Sequence, residues 1–560
     1  MNREKGKVLG NAQFNFCEDR RIYVRSSGST IKYSFAESSY RKVFKIITRA
    51  TDKRLFSREI LNAIDTKALK YDLSPRRANV LRQIKGLNSS VRVLEFGAGC
   101  GVITRYLAEL GCEVDAVERS PIKASITSAR VSECQNVAVF CSDFADLSFA
   151  GEYDMATLLS TIESPHHQFT EKESFQRRLA VAAQAINKDG ILVIAINNQL
   201  ALKSSTGGGA RHHTPSHGPE DKYQPGQLNA LGKQHLVSAL ESCGFNYIFF
   251  NYPFPDYNLP EAIVSQAGLD CPIFNETDIV CERDLSPDQT IHKSDTSAIC
   301  DSFSRDLSGG ARSKSFLVFA QRNQNDRWIQ KELLAEVYTD NRSPAFNVGT
   351  SFIKKNKNIF VKKRHLSENL GVVASPYISL RLTTEEYIKG NLLTSLVKSY
   401  LEMGDEIGAL HLLRRWSAFL ARESVNGLLP PDYLDAIPQN FIVTYDNTLS
   451  IFDREWVLDT EIERGLVIVR GVFSIVNCST MGKYFSGSCS EEKARRLCSS
   501  LGFSMDFDQY WGKAMECNQW LSQVVYGYEY GKVKSDLKNN DSGKWVKLKS
   551  FANSMARVWR

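Results

Sequence analysis

The sequence predicts an α/β protein: a parallel sheet wrapped by helices on both faces in the first half, followed by an α+β second half. Two observations carry the first part. Between about residues 90 and 200, short apolar runs alternate with amphipathic stretches, the pattern of strands joined by crossover helices. The run Glu95-Phe96-Gly97-Ala98-Gly99-Cys100-Gly101 then stands between a buried apolar run and a helical one. Glycines in that place let the backbone turn tightly and approach a ligand closely.

Taken in order, 91–96 reads as a strand, 102–110 as a helix, 112–118 as a strand, 121–132 as a helix, and 137–141 and 153–160 as strands. A helix at 175–186 leads to a strand at 190–196. Further on, a helix at 236–242 ends at Gly244, and 245–252 and 315–320 are strand-like. Antiparallel pairing of these last two would close the edge of a seven-stranded sheet. The segments 204–226 and about 270–313 are rich in Gly, His, Pro, Ser, Asp and Thr and read as loose, the second as an insertion. The expected division is a mixed α/β extension at 1–70, the sheet domain at 71–323, an α+β domain at 324–490 and a helical segment at 491–560.

The 560 residues carry 70 Lys plus Arg against 63 Asp plus Glu, a net charge of +7. Over this length the excess is mild. It fits attraction to anionic partners, and the lack of a dense basic run argues against nucleic acid. The 13 cysteines include no CxxC pair, which argues against a zinc ribbon or redox pair. The first residues do not read as a signal peptide, and no apolar run approaches ~20 residues. These features read as a cytoplasmic protein with free thiols and no transmembrane segment.

The acidic residues around the glycine loop choose its ligand. A GxGxxG loop of dinucleotide enzymes sets pyrophosphate on a helix N-terminus. Here the carboxylate of Glu95 would repel phosphate but suits the cationic end of S-adenosylmethionine. Glu118 closes the second strand, where it can accept from both ribose hydroxyls, with Arg119 beside it. Asp143 follows the third strand, placed to accept from the adenine amino group, with Phe144 near the ring. Together with Gly97, Ala98, Gly99 and Gly101, these strand ends favour a methyl donor over a nicotinamide cofactor.

Residues 60 to 322 resemble a bacterial group of class I methyltransferases of surface-polysaccharide biosynthesis. The likeness is carried by Tyr71-Asp72-Leu73-Ser74, Arg77-Ala78-Asn79-Val80-Leu81-Arg82, the glycine loop, Ile103-Thr104-Arg105-Tyr106-Leu107 and Val117-Glu118-Arg119-Ser120. Asn251-Tyr252-Pro253-Phe254-Pro255-Asp256-Tyr257-Asn258-Leu259-Pro260 is similar to a second block of that group. The resemblance implies a Rossmann-like methyltransferase acting on a sugar or sugar-phosphate. Its partners would be a carbohydrate or glycolipid acceptor and glycosyltransferases, with peripheral membrane contact. Ser160 and Glu163 end the fourth strand, over the site by topology; Glu163 would serve as base or orienting group. Asn197 and Asn198 end the fifth strand and could bind a hydroxyl or phosphate. The resemblance also implies a Lys and a His in the next loop, where Lys203, His212, His213 and His217 stand. A histidine could deprotonate a sugar hydroxyl, and the plainer reading makes these solvated loop residues. No carboxylate lies at a metal-site spacing from them.

The second half resembles kinase-like phosphotransferases, a family in which ATP and magnesium are bound. Ile359-Phe360-Val361-Lys362-Lys363 reads as a strand ending in lysine, and Lys362 fits the expected alternation better than Lys363. Asp435, Asn440 and Asp453 have the residue types and spacing of an acceptor-orienting Asp and two metal ligands. The departures are Tyr433 where a histidine is usual, Arg454-Glu455-Trp456 after Asp453, no Gly-rich phosphate loop beyond Asn347-Val348-Gly349-Thr350, and no clear partner for the lysine beyond Glu368. They leave room for two other readings, a non-catalytic docking module or an unrelated α+β hairpin. Trp511, Trp520 and Tyr526 read as core. A protein or nucleic-acid acceptor is the remaining alternative for the first half. It lacks a (D/N)PP(Y/F)-type motif at 160–163.

Overall fold

A computed structural model describes residues 6–26, 40–159, 171–198, 232–274, 313–367, 377–478, 480–503 and 506–526. The described parts of Met1–Cys281, Ser294–Tyr338 and Thr350–Lys357 form one compact unit, and those of Thr339–Gly349 and Asn358–Arg560 form another.

The first unit is built on one sheet. Its strands are β1 (Gly6–Leu9), β2 (Ala12–Cys17), β3 (Ile22–Arg25), β4 (Arg92–Phe96), β5 (Glu113–Glu118), β6 (Val137–Cys141), β7 (Tyr153–Leu159), β8 (Ile186–Asn197), β9 (Tyr247–Phe254), β10 (Ala262–Ser265), β11 (Ser315–Gln321), β12 (Leu333–Thr339) and β13 (Val348–Lys355). They lie in the order β1-β2-β3-β6-β5-β4-β7-β8-β11-β9-β10-β12-β13. The strands from β6 to β8 run parallel, and β11 is antiparallel to both β8 and β9. This is the expected seven-stranded arrangement from β6 to β9. β6 is buried at every position and β4 at all but its first, because helices cover both faces of a parallel sheet and its strands read as continuous apolar runs.

The sheet is wider than the sequence suggests. β3 joins the edge of β6 in parallel, so part of 1–70 is continuous with the sheet domain. At the other edge β10 pairs with β9 and β12 with β10, so the unit continues past residue 323. β3 and β10 have only four residues each, and β12 buries Glu336 within its apolar run, which blurs the alternation that marks a strand.

The two sequence blocks that carried the family resemblance touch each other. Thr66 caps the helix Lys67–Leu73 by accepting from the Leu69 amide, and Ser74 caps the 3₁₀ turn Pro75–Leu81. Tyr71 donates its hydroxyl to Asn258 at 2.9 Å, and the Asn79 amide donates to the Pro260 carbonyl at 2.9 Å. Arg76 pairs with Glu261.

The second unit has strands β14 (Asn358–His365), β15 (Ile378–Leu380), β16 (Thr384–Glu386), β17 (Gly390–Leu392), β18 (Leu428–Leu429), β19 (Phe441–Thr444), β20 (Leu449–Ile451), β21 (Trp456–Leu458) and β22 (Ile462–Glu463). β14 pairs with β16, β15 with β21, and β19 lies between β17 and β20. Its helices Leu393–Glu402, Glu406–Glu423, Arg464–Val476, Ser490–Ser500 and Phe507–Val524 enclose a core around Trp416, whose indole donates to the Ala436 carbonyl at 2.9 Å. Trp511, Trp520 and Tyr526 pack against that core, and the helices of 491–526 belong to it. Among the described residues no helix is long and apolar enough to cross a membrane.

Candidate functional site

The glycine loop links β4 to the helix Val102–Glu109 and is held by backbone bonds. The Gly97 amide donates to the Val117 carbonyl at 2.7 Å, and Gly101 donates to Ala98 at 2.9 Å. Gly97, Gly99 and Gly101 have φ of +78°, +57° and +77°, in the left-handed region that side chains with a Cβ avoid. Two of these glycines do different work. A Cβ on Gly101 would stand 2.9 Å from the Thr127 Cα, so this glycine lets two segments pack. A Cβ on Gly99 would meet only the Gly97 carbonyl, at 3.9 Å. The space over Gly99 is left open by the protein.

Glu118 sits at the end of β5 and faces this loop. One carboxylate oxygen accepts from the Gly99 amide at 2.9 Å, and the other accepts from the Ser120 amide at 2.8 Å. Each oxygen keeps acceptor capacity beyond that single bond. Glu95 is buried at the end of β4 and accepts from the Thr104 hydroxyl at 2.7 Å. Burial pushes its carboxyl up to about 7, against the pull of the Thr104 bond and the Arg77 charge.

Asp143 follows β6, and Arg119 approaches it at 4.0 Å. Phe144 is buried against Phe96, with ring centroids 4.4 Å apart. The buried Arg178 guanidinium lies 5.5 Å from the Phe144 ring. Burial lowers its pKa, against the pull of Asp143. The sequence alone did not single out Arg178. A cation in a helix is unremarkable until the fold sets it beside Asp143. The structure thus gathers Glu95, Gly97, Ala98, Gly99, Gly101, Glu118, Arg119, Asp143 and Phe144 along the ends of β4, β5 and β6.

The acceptor side is different. Ser160, Glu163, Lys203, His212, His213 and His217 lie outside the described residues. Asn198 is fully buried, and its amide donates to the Ser313 carbonyl at 2.8 Å. It ties β8 to the segment entering β11, where the sequence suggested a ligand contact.

In the second unit, Asn440 donates to the Asp435 carbonyl at 2.8 Å and to its carboxylate at 2.9 Å. Asp453 accepts from Lys363, and Lys363 also donates to Glu455 at 2.9 Å. Arg342 completes the group by pairing with Glu455. Of the two neighbouring lysines, it is Lys363 that faces these acids. Lys362 is exposed, while Lys363 is turned inward to the acids. β14 is largely half-buried, so alternation of apolar residues could not tell the two faces apart. The buried partner of Lys363 is Glu455, two residues beyond Asp453. Glu368 lies outside the described residues. Among the described residues no group of three His, Cys, Asp or Glu is placed to hold a metal ion.

Residues 93–190 match the family model of a methyltransferase domain. The chain carries a methyltransferase domain. Its fold there is Rossmann-like, and the chain is an S-adenosylmethionine-dependent methyltransferase. No curated protein matches the sequence. Among solved structures it is similar to an S-adenosylmethionine-dependent methyltransferase of Thermotoga maritima, at 13% identity over 48% of this chain and 99% of that one, with a TM-score of 0.29. A TehB-like methyltransferase of Corynebacterium glutamicum matches at 10% identity over 51% of this chain and 98% of that one, TM-score 0.25. A phosphoethanolamine N-methyltransferase of Haemonchus contortus matches at 13% identity over 57% of this chain and 71% of that one, TM-score 0.30. Scores this low decide nothing about substrate.

Proposed function

We propose that the methyltransferase acts on a sugar or sugar-phosphate of a surface polysaccharide, O-antigen or capsule, or its precursor. The single observation that carries the donor half of this reading is the open space over Gly99 beside Glu118. A ribose set there would give its hydroxyls to Glu118. Adenine would lie by Asp143 and Phe144, and the cationic end of the donor by Glu95. The donor supplies an already activated methyl group, so the protein's own part is to align it with the acceptor atom and keep water out. Support for the carbohydrate acceptor is the resemblance of 71–82 and 251–260 to one methyltransferase group, together with their mutual hydrogen bonds. The test is mass spectrometry of candidate glycans after incubation with isotopically labelled donor. Label on protein or nucleic acid and none on glycans would sink the carbohydrate acceptor.

A second reading concerns the other unit. Asp453 holds φ of +60°, a strained conformation for a residue with a Cβ and one that clusters at functional sites. With Lys363 on its carboxylate and Asn440 on Asp435, it favours a kinase-like phosphotransferase site for ATP and magnesium over a docking module. Nucleotide-dependent thermal shift tests it. A ligand at 100 times its Kd stabilises by ~2.7 kcal/mol, and the shift should vanish in Asp453→Ala while donor binding persists. Absence of any shift with ATP and magnesium leaves the docking module.

A further inference from the structure

The donor presents one group for which the site described so far has no partner. Asp143 and Phe144 suit its adenine, Glu118 its ribose and Glu95 its cationic end. The α-carboxylate of the methionine part is an anion and must lie close to the acid Glu95. A cation is therefore needed beside Glu95.

Arg77 is that cation. Its charge acts on Glu95 and on Cys100 of the glycine loop. It stands on the turn Pro75–Leu81, with its guanidinium carbon 4.5 Å from the centroid of the Tyr71 ring. Tyr71 is itself fixed by its bond to Asn258. Arg77 Nη1 is shut off from solvent and has no hydrogen-bond partner among the described residues. A buried guanidinium nitrogen left in that state costs free energy that a ligand oxygen would recover. The other nearby groups are otherwise engaged. Lys123 lies over the Tyr40 ring at 4.7 Å and answers mainly to Glu118. Asp72 is bonded to Cys100, and burial raises its pKa.

We propose that Arg77 binds the α-carboxylate of the methyl donor, with Tyr71 setting the plane of the guanidinium. This rests on the donor site described above. It also gives the 71–82 block a purpose, since the block resembling one methyltransferase group brings a carboxylate clamp to the loop.

The test is calorimetry on the full chain with three probes: S-adenosylmethionine, its decarboxylated analogue and 5′-methylthioadenosine. The wild-type chain should bind the decarboxylated analogue about 10- to 100-fold more weakly than the donor, the range of a charge-assisted hydrogen bond. Arg77→Leu should weaken donor binding by the same factor and leave the analogue's affinity unchanged. Arg77→Lys should recover part of the loss. Equal weakening of donor and analogue in Arg77→Leu, or equal affinity for both in the wild type, overturns the proposal. 5′-Methylthioadenosine, which lacks the amino-acid end, reports whether a variant is folded. If neither it nor the donor binds the wild-type chain, the donor site itself is misread.

Discussion

Glu95 and Glu455 are both buried glutamates, one in each unit, and their surroundings push them in opposite directions. Glu95 has a hydroxyl donor and the outlying charge of Arg77, and burial raises its pKa to about 7. Glu455 is gripped by Arg342 and Lys363, which hold its carboxyl well below the usual range although burial alone would raise it. The second acid is satisfied by its own chain. The first has no ion pair as close as those of Glu455 and stays protonated to a higher pH.

The comparison breaks most severely at Glu455. Glu455→Ala would leave Arg342 without its carboxylate while Lys363 keeps Asp453, and loss of one partner from a buried ion pair costs about 3–5 kcal/mol. Denaturant unfolding followed through the second unit should register that loss, with donor affinity unchanged. A small loss would mean that water reaches the cluster.

Next in size is a contrast in pH dependence. Glu95 is raised from 4.5 to about 7 on folding, so the folded chain binds more protons than the unfolded chain between those values. Its contribution is fully present below about pH 4.5 and is lost as pH rises to about 7, by at most about 3 kcal/mol. Glu455 is depressed, so its contribution is present above its unfolded pKa and lost on acidification through its folded one. Unfolding of the first unit across pH 4.5–7 should show the falling limb, and Glu95→Gln should flatten it. Donor affinity should rise over the same interval, because the donor's charge favours the ionised acid. An affinity indifferent to pH would remove Glu95 from the site.

The smallest effect on stability falls at Gly99, where the effect on binding is large. The Cβ of Gly99→Val meets no neighbour closer than 3.9 Å, so the fold should lose little beyond the roughly 1–2 kcal/mol of a left-handed residue. Calorimetry should nonetheless find donor binding weakened by more than about 100-fold, since the side chain would fill the open space over the loop. Retained affinity would remove that space from the donor site. Gly101→Ala should reverse the balance, with stability suffering first from contact with Thr127.

The donor half of the site was legible because its parts recur at strand ends within about fifty residues, each next to a glycine turn or an apolar run. What escaped depends on distance along the chain. Tyr71 and Asn258 are 187 residues apart, and Arg342 and Glu455 are 113 apart. Nothing local marks either pair. Lys362 and Lys363 are neighbours whose difference is only the face of β14, and a half-buried strand does not announce its faces. Asn198 reads as a ligand contact because strand ends so often are, and in the structure its amide donates to the Ser313 carbonyl.

The N-terminal strands have a practical consequence for anyone dividing this chain. β6 is apolar and buried along its whole length, and β3 occupies its outer edge. A fragment begun at residue 71, where the first motif starts, would bare that row of backbone amides and carbonyls to other molecules. Such an edge is a template for intermolecular strand addition. The first recognisable motif and the strand that covers this edge are therefore about fifty positions apart: β3 opens at Ile22.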